Sequence, residues 1–272
     1  MKKYFLFTLL IVVVLQVKAS TADTVTIYSS AMHKNIKCVI IKPNSYKKKK
    51  NHYPVVYLLH GHSGSYKDWI TNVPQIKKYS DDYQIIFVTP DGGYNSWYFD
   101  SPIDTGSKYE THIYKEVVDY TDKHYRTFAD RKHRAITGLS MGGHGSFYLA
   151  LRHPDIFGAI GSMSGGVDIR PFPGKWQIKE KIGDITTHAE EWEKRSVINM
   201  ITQCPKDSFA IIFDCGTDDF FYKVNQQLHE KMLQLKIPHD YIQRPGIHNW
   251  AYWKNAVQYQ LIFFRKFFDN QL

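Results

Sequence analysis

The chain has 272 residues, 43% of them hydrophobic and 15% aromatic, with a formal charge of +9. That excludes a disordered chain and leaves ample apolar material for one large core. The balance of 35 basic against 26 acidic residues permits an anionic partner but does not demand one.

Residues 1–19 read as a secretory signal peptide. Lys2 and Lys3 form a charged start, and Tyr4 to Val17 an apolar core too short to span a bilayer comfortably. Val17-Lys18-Ala19 fits the small-residue cleavage rule, with Ser20 as the mature start. A buried first strand is the alternative, but nothing nearby offers it a turn and a partner. No cysteine follows the apolar core, so no lipid or membrane anchor is expected, and the expected location is secreted or periplasmic. Residues 20–272 are then expected to form a single domain.

Thr24 to Tyr28 and Ile36 to Lys42 read as strands, punctuated by Asn35 and Pro43-Asn44. The basic run Lys47 to Lys50 reads as a solvated hairpin loop. Little aromatic interleaving accompanies it, so no nucleic-acid partner is expected. Pro54 to Leu59 is a continuous apolar run, as in a central strand buried on both faces. It ends in His60-Gly61-His62-Ser63-Gly64, a loop able to give the His62 N–H to an oxyanion hole. A metal reading of His60 and His62 lacks further ligands at suitable spacing, and no motif suggests a metal or organic cofactor.

Tyr66 to Trp69 opens a short helix, and Gln84 to Thr89 is the next buried strand. In the loop from Asn95 to Ser101, Trp97 and Tyr98 either line a substrate pocket or simply pack. Tyr109 to Tyr125 is an amphipathic helix, with Ile113, Val117 and Tyr120 on one face. Arg134 to Thr137 is a short strand running into Gly138-Leu139-Ser140-Met141-Gly142 and then a helical run to Arg152. A strand, this G-x-S-x-G turn and a helix together make the context of a nucleophile elbow. The turn strains the serine backbone, and side chains at Gly138 and Gly142 would collide with the neighbouring strand and helix.

Ala159 to Met163 is another strand. The polar and aromatic segment 165–203 follows, and Arg170 to Gly174 within it cannot be regular. Such an insertion suits a cap over a site, with Trp176 and Trp192 as pocket walls or as simple packing. Phe209 to Phe213 is a strand ending in Asp214-Cys215-Gly216-Thr217-Asp218-Asp219, and a helix runs from Tyr222 to Leu235. Asp240 to Gln243 is the last strand, followed by His248 and a terminal helix to about Phe268. Strands alternate with helices, which predicts an α/β fold with a mostly parallel, doubly wound sheet. Of the three cysteines, Cys38 sits in a strand, whereas a Cys204–Cys215 pair stays open.

Ser140, Asp219 and His248 all follow strands, in the order Ser…Asp…His. An imidazole can take the serine proton and return it to a leaving group, while a carboxylate fixes the imidazole tautomer. Asp219 is favoured over Asp218, which suits a helix cap. The N–H groups of His62 and Met141 would hold the oxyanion.

Five blocks now stand in order: Leu58 to Gly64, Asp91-Gly92-Gly93 with Ser96-Trp97-Tyr98, Gly138 to Gly143, Cys215 to Phe220, and Gly246 to Trp250. Together they resemble the "Putative esterase" family, from about Thr24 to the C-terminus. That family includes esterase D (S-formylglutathione hydrolase), tributyrin esterases, feruloyl and acetyl xylan esterases of carbohydrate esterase family one, and antigen 85 mycolyltransferases. The Cys-Gly-Thr-x-Asp block is most similar to the tributyrin and cinnamoyl esterase branch. His62 departs from the pattern, at a position where many relatives carry an apolar residue. The resemblance implies an α/β-hydrolase fold, with Ser140, Asp219 and His248 as nucleophile, acid and base. Together with the export expected from residues 1–19, it implies a serine carboxylesterase acting on acetyl, feruloyl or other short acyl esters of carbohydrate. Acyl transfer to a sugar hydroxyl, general short-chain esterase activity and a catalytically dead binding protein are the alternatives.

Overall fold

The computed structural model describes residues 20–47, 50–204 and 208–272. The expected signal segment, residues 1–19, lies outside the described residues. Eight strands make one sheet: β1 (Thr21–Ser29), β2 (Lys34–Lys42), β3 (Val55–Leu59), β4 (Ile86–Pro90), β5 (Arg134–Gly138), β6 (Ala159–Met163), β7 (Ala210–Gly216) and β8 (Asp240–Arg244). Their order is β1-β2-β4-β3-β5-β6-β7-β8. β1 pairs antiparallel with β2, and β2 antiparallel with β4; the remaining neighbours are parallel.

The continuous apolar runs follow from this arrangement. In β3, Val55, Tyr57 and Leu59 enter the core on one face, while Val56 and Leu58 enter the core on the other. Side chains alternate across a strand, so a strand covered on both faces must be apolar throughout. Helices α1 (Asp68–Asn72), α2 (Ile76–Tyr83) and, at the chain's end, α10 (Trp250–Phe268) cover the Val56 face. The other face carries a continuous helical stretch in which α3 (Tyr109–Thr111) passes through a π turn, His112–Val117, into α4 (Val118–His124). It also carries α5 (Met141–Arg152) and α9 (Tyr222–Leu235).

The structure corrects one expectation and adds detail to others. β4 lies between β2 and β3, so β2 and β3 do not form the expected hairpin; Lys48 and Lys49 of the basic run lie outside the described residues. Helix α2 was not foreseen. The segment 165–203 holds three short helices, α6 (Lys179–Ile182), α7 (Ala189–Arg195) and α8 (Val197–Met200). Cys38 and Cys215 are buried thiols, so the open Cys204–Cys215 disulfide is not made. Cys204 Sγ lies instead 3.6 Å from Ser208 Oγ. Among the described residues, no helix is long and apolar enough to cross a membrane.

Candidate active site

Parallel strands deliver their carboxyl ends to one edge of a sheet, and four of those ends converge here. Ser140 follows β5 at the N-terminus of α5, with φ +56° and ψ −117°. That backbone region is strained for a residue with a Cβ. The turn is tight enough to require its glycines. A Cβ on Gly142 would lie 2.6 Å from the carbonyl oxygens of Leu59 and His60. One on Gly138 would lie 2.6 Å from the Gly142 carbonyl.

Ser140 Oγ is 2.8 Å from His248 Nε2, and His248 Nδ1 is 2.8 Å from Asp219 Oδ2. His248 comes from the loop after β8, and Asp219 from the loop after β7. The other Asp219 oxygen, Oδ1, accepts the Phe221 N–H at 2.8 Å. Asp219 is buried, whereas Asp218 is exposed and turned away from the histidine partnership. A buried, doubly bonded carboxylate is a fixed acceptor for an imidazole N–H, which leaves Nε2 facing the serine with its lone pair.

Beside the hydroxyl, the N–H groups of His62 and Met141 donate to no carbonyl or side chain among the described residues. The Met141 N–H belongs to the first turn of α5, where helix N–H groups lack internal partners and the dipole favours negative charge. The loop holding His62 is anchored on either side: Ser63 N–H donates to Tyr94 O at 2.7 Å, and Gly64 N–H to Gly61 O at 3.1 Å. The His62 ring meets Tyr94 edge-on, and its Nε2 lies 3.4 Å from Gln177 Oε1. His60 is buried, with Nδ1 donating to Gly61 O and Nε2 accepting the Gly92 N–H at 2.7 Å. Burial lowers its pKa, and both ring nitrogens are spent on the loop's backbone.

A cavity of about 380 Å³ opens over Ser140 and His248. Its aromatic walls are Trp176, Phe220, Trp250 and Trp253. Of the two roles open to each, Trp176 takes the pocket wall, whereas Trp97 and Tyr98 take the packing role. They are 1% and 0% exposed and do not border the cavity. The Tyr98 ring fills the space beside Gly92 and Gly145, and its hydroxyl donates to His60 O at 3.0 Å. Trp97 directs its backbone N–H at Met141 Sδ and its indole N–H at Trp176 O, 3.2 Å away. Both brace the site from beneath. Trp192 is also buried away from the cavity, its indole N–H on Gly183 O at 3.0 Å. Phe220, Trp250 and Trp253 were missed as wall residues. The available signal was adjacency, since Phe220 follows Asp219 directly and Trp250 lies two residues beyond His248. A larger hollow of about 720 Å³ beside Arg152 and Glu193 shares no residue with this cavity.

A model of the family described as "Putative esterase" matches residues 29–264. The chain belongs to that family. Membership makes the protein a carboxylic ester hydrolase. An acetyl esterase of Caldicellulosiruptor saccharolyticus is 24% identical over 252 residues, 86% of this chain and 94% of the relative. The solved structure of a ferulic acid esterase is 32% identical with a TM-score of 0.79, over 92% of this chain and 98% of that one. A fluorophosphonate-binding serine hydrolase of Staphylococcus aureus, 20% identical, superposes with a TM-score of 0.81 over 91% of this chain and 99% of that one. The fold is the α/β-hydrolase fold shared by these esterase-family members.

Proposed function

We propose that the protein is an exported serine carboxylesterase that removes acetyl or feruloyl-type groups from carbohydrate through an acyl-enzyme. The observation that carries this reading is the line Ser140 Oγ, His248, Asp219, with both contacts at 2.8 Å. Ser140 Oγ attacks the ester carbonyl carbon while His248 Nε2 takes its proton. The carbonyl oxygen becomes an oxyanion held by the N–H groups of His62 and Met141. Asp219 steadies the imidazolium. The C–O bond to the alcohol then breaks, and His248 returns the proton to the departing oxygen. Water enters, gives a proton to His248 and attacks the acyl carbon. The second oxyanion then collapses: the bond from the acyl carbon to Ser140 Oγ breaks, His248 Nε2 returns the proton to Oγ, and the acid leaves.

The carbohydrate assignment is supported by the aromatic walls, which suit stacking against a sugar face or a phenolic acid. It is supported also by the acetyl and ferulic acid esterases to which the chain is similar. The basic start and apolar core of residues 1–19 support export.

The test is p-nitrophenol release from acetyl, butyryl and longer esters, with ferulate release from methyl ferulate in parallel. Ser140→Ala should lower kcat at least about a thousandfold on every ester cleaved. Retained activity in that variant would sink the assignment. A sugar acceptor added to the same assay distinguishes hydrolysis from transfer, because transfer yields an acylated sugar.

A further inference from the structure

The cavity over Ser140 carries one carboxylate on its wall besides the aromatic rings. Asp68, the first residue of α1, lines it together with Gly61, His62, Ser63 and Gly64. The carboxylate is held in place. Ser65 Oγ donates to Asp68 Oδ1 at 3.1 Å, and Oδ2 sits so close over Gly64 that a Cβ there would come within 2.3 Å of it. Oδ2 accepts from no protein group among the described residues, and Asp68 forms no ion pair with a lysine or arginine. No lysine or arginine lines the cavity either. The triad carboxylate of Asp219 is sealed behind His248, so Asp68 is the formal charge that an incoming ester meets.

We infer that Asp68 is a specificity-determining residue, which accepts a hydrogen bond from a hydroxyl on the sugar side of the ester and repels alcohols that carry an anionic group. The inference rests on the carbohydrate esterase reading above and adds which alcohols the site takes. A carboxylate with an open lone pair is a strong acceptor for a hydroxyl, about twice as strong as a neutral acceptor. Aromatic rings nearby offer a face for the sugar's C–H groups. An uncompensated negative charge lining an open-mouthed site repels a second negative charge, and salt entering the mouth weakens that repulsion. Neutral sugars therefore fit, and alcohols bearing a carboxylate, uronic acids among them, are turned away. An acetyl group has no hydroxyl to donate, so on acetyl esters the contact belongs to the alcohol side.

A matched pair of acetyl esters tests this: 4-acetoxybenzamide, neutral, and 4-acetoxybenzoate, anionic, with an acetylated xylo-oligosaccharide as the sugar ester. Wild type should favour the amide over the carboxylate by about tenfold in kcat/KM, and added salt should shrink that ratio. Asp68→Asn keeps the shape and an acceptor for Ser65. It should collapse the amide-to-carboxylate ratio toward one and remove its salt dependence. It should also lower the kcat/KM of the oligosaccharide relative to the amide by roughly fivefold. Asp68→Glu, which keeps the charge, should retain the discrimination. A wild-type ratio near one, insensitive to salt, overturns the inference without need of any variant, as does a ratio left unchanged in Asp68→Asn. Failure of wild type to cleave any of the three esters would instead overturn the esterase reading itself, and this inference with it.

Discussion

At the scale of single residues, the site is a set of close approaches. Ser140 keeps its strained backbone because its own N–H donates to Met163 O at 2.9 Å and its carbonyl accepts the His144 N–H at 3.0 Å. Gly142 lets α5 press against the end of β3. Gly142→Ala would put a methyl 2.6 Å from two backbone oxygens of the strand that leads into the His62 loop. Backbone cannot rotate away as a side chain can, so the strand end must move. The cost expected is about 1–3 kcal/mol, read as a fall of roughly 3–10 °C in Tm in a thermal scan. Ester hydrolysis should fall further than stability, because the displaced strand end carries the loop of His62, the proposed oxyanion donor. A variant with native Tm and native kcat would show that the close packing is not needed. Asp219→Asn tests a different property. The amide presents the wrong hydrogen-bonding group to His248 Nδ1 or loses the Phe221 contact, and kcat should drop about 10⁴-fold with the fold intact. A loss below tenfold would mean that Asp219 does not set the tautomer.

Between elements, the sheet and α10 are joined by a buried polar cluster on the strand that leads to Asp219. Gln260 of α10 accepts from Thr137 Oγ1 of β5 at 2.5 Å, and its amide donates to Ser162 O of β6 and to Asp214 Oδ2 of β7. Asp214 is fully buried. Burial pushes its pKa up to about 7, against the opposing pull of Gln260 and Arg244. The unfolded carboxyl titrates near 4. Between those two values the folded state holds a proton that the unfolded state has released, so this group's contribution to stability is complete below about pH 4 and is lost as pH rises through about 7. Asp214→Asn has no such proton to lose. The Tm difference, variant minus wild type, should therefore grow between pH 5 and pH 8; a difference flat with pH would show that Asp214 is ionised throughout.

The same scale explains what could be read in advance. β3, β4 and β7 were legible because burial on both faces leaves a mostly apolar run. Helix α2 was not: Ile-Lys-Lys-Tyr-Ser-Asp-Asp-Tyr buries only Ile76 and Ser80, so its charged face dominates a short stretch. The order of β2, β4 and β3 was hidden too, since a local sequence says nothing of which strand slips between two others. The sequence leaves open whether Trp97 and Tyr98 face a pocket or pack inward. Both adopt left-handed backbone conformations, φ +53° and +61°, and contacts with Gly92, Gly145 and Met141 aim their rings inward. Such aiming is a tertiary property.

For the whole molecule, the triad was legible and its enclosure was not. Ser140, Asp219 and His248 announce themselves because parallel strands send their carboxyl ends to one edge, so chain order and element order suffice. The wall beside them joins Phe220, Trp250 and Trp253, which lie close to Asp219 and His248 in sequence, to Trp176 from a remote segment. Trp176 comes from the segment 165–203 and stacks on Phe220, with centroids 5.4 Å apart and planes at 25°. Phe220 in turn lies 4.2 Å from the His248 ring. This extends an aromatic surface from the His248 imidazole to Trp176, supplied by an insertion between β6 and β7. If that surface holds the ring of a substrate, its loss should cost binding of ring-bearing esters and leave small acyl esters less affected. Trp176→Ala keeps the backbone carbonyl that receives the Trp97 indole N–H, so the bracing beneath the site survives. Removing an aromatic contact of this size corresponds to about 1.5–3 kcal/mol, or at least a tenfold fall in kcat/KM for methyl ferulate relative to p-nitrophenyl acetate. The loss should appear in KM, because the ring contact is made in ground state and transition state alike. Equal losses on both esters would make Trp176 a support for His248 through Phe220. No loss on either would remove segment 165–203 from the substrate's path.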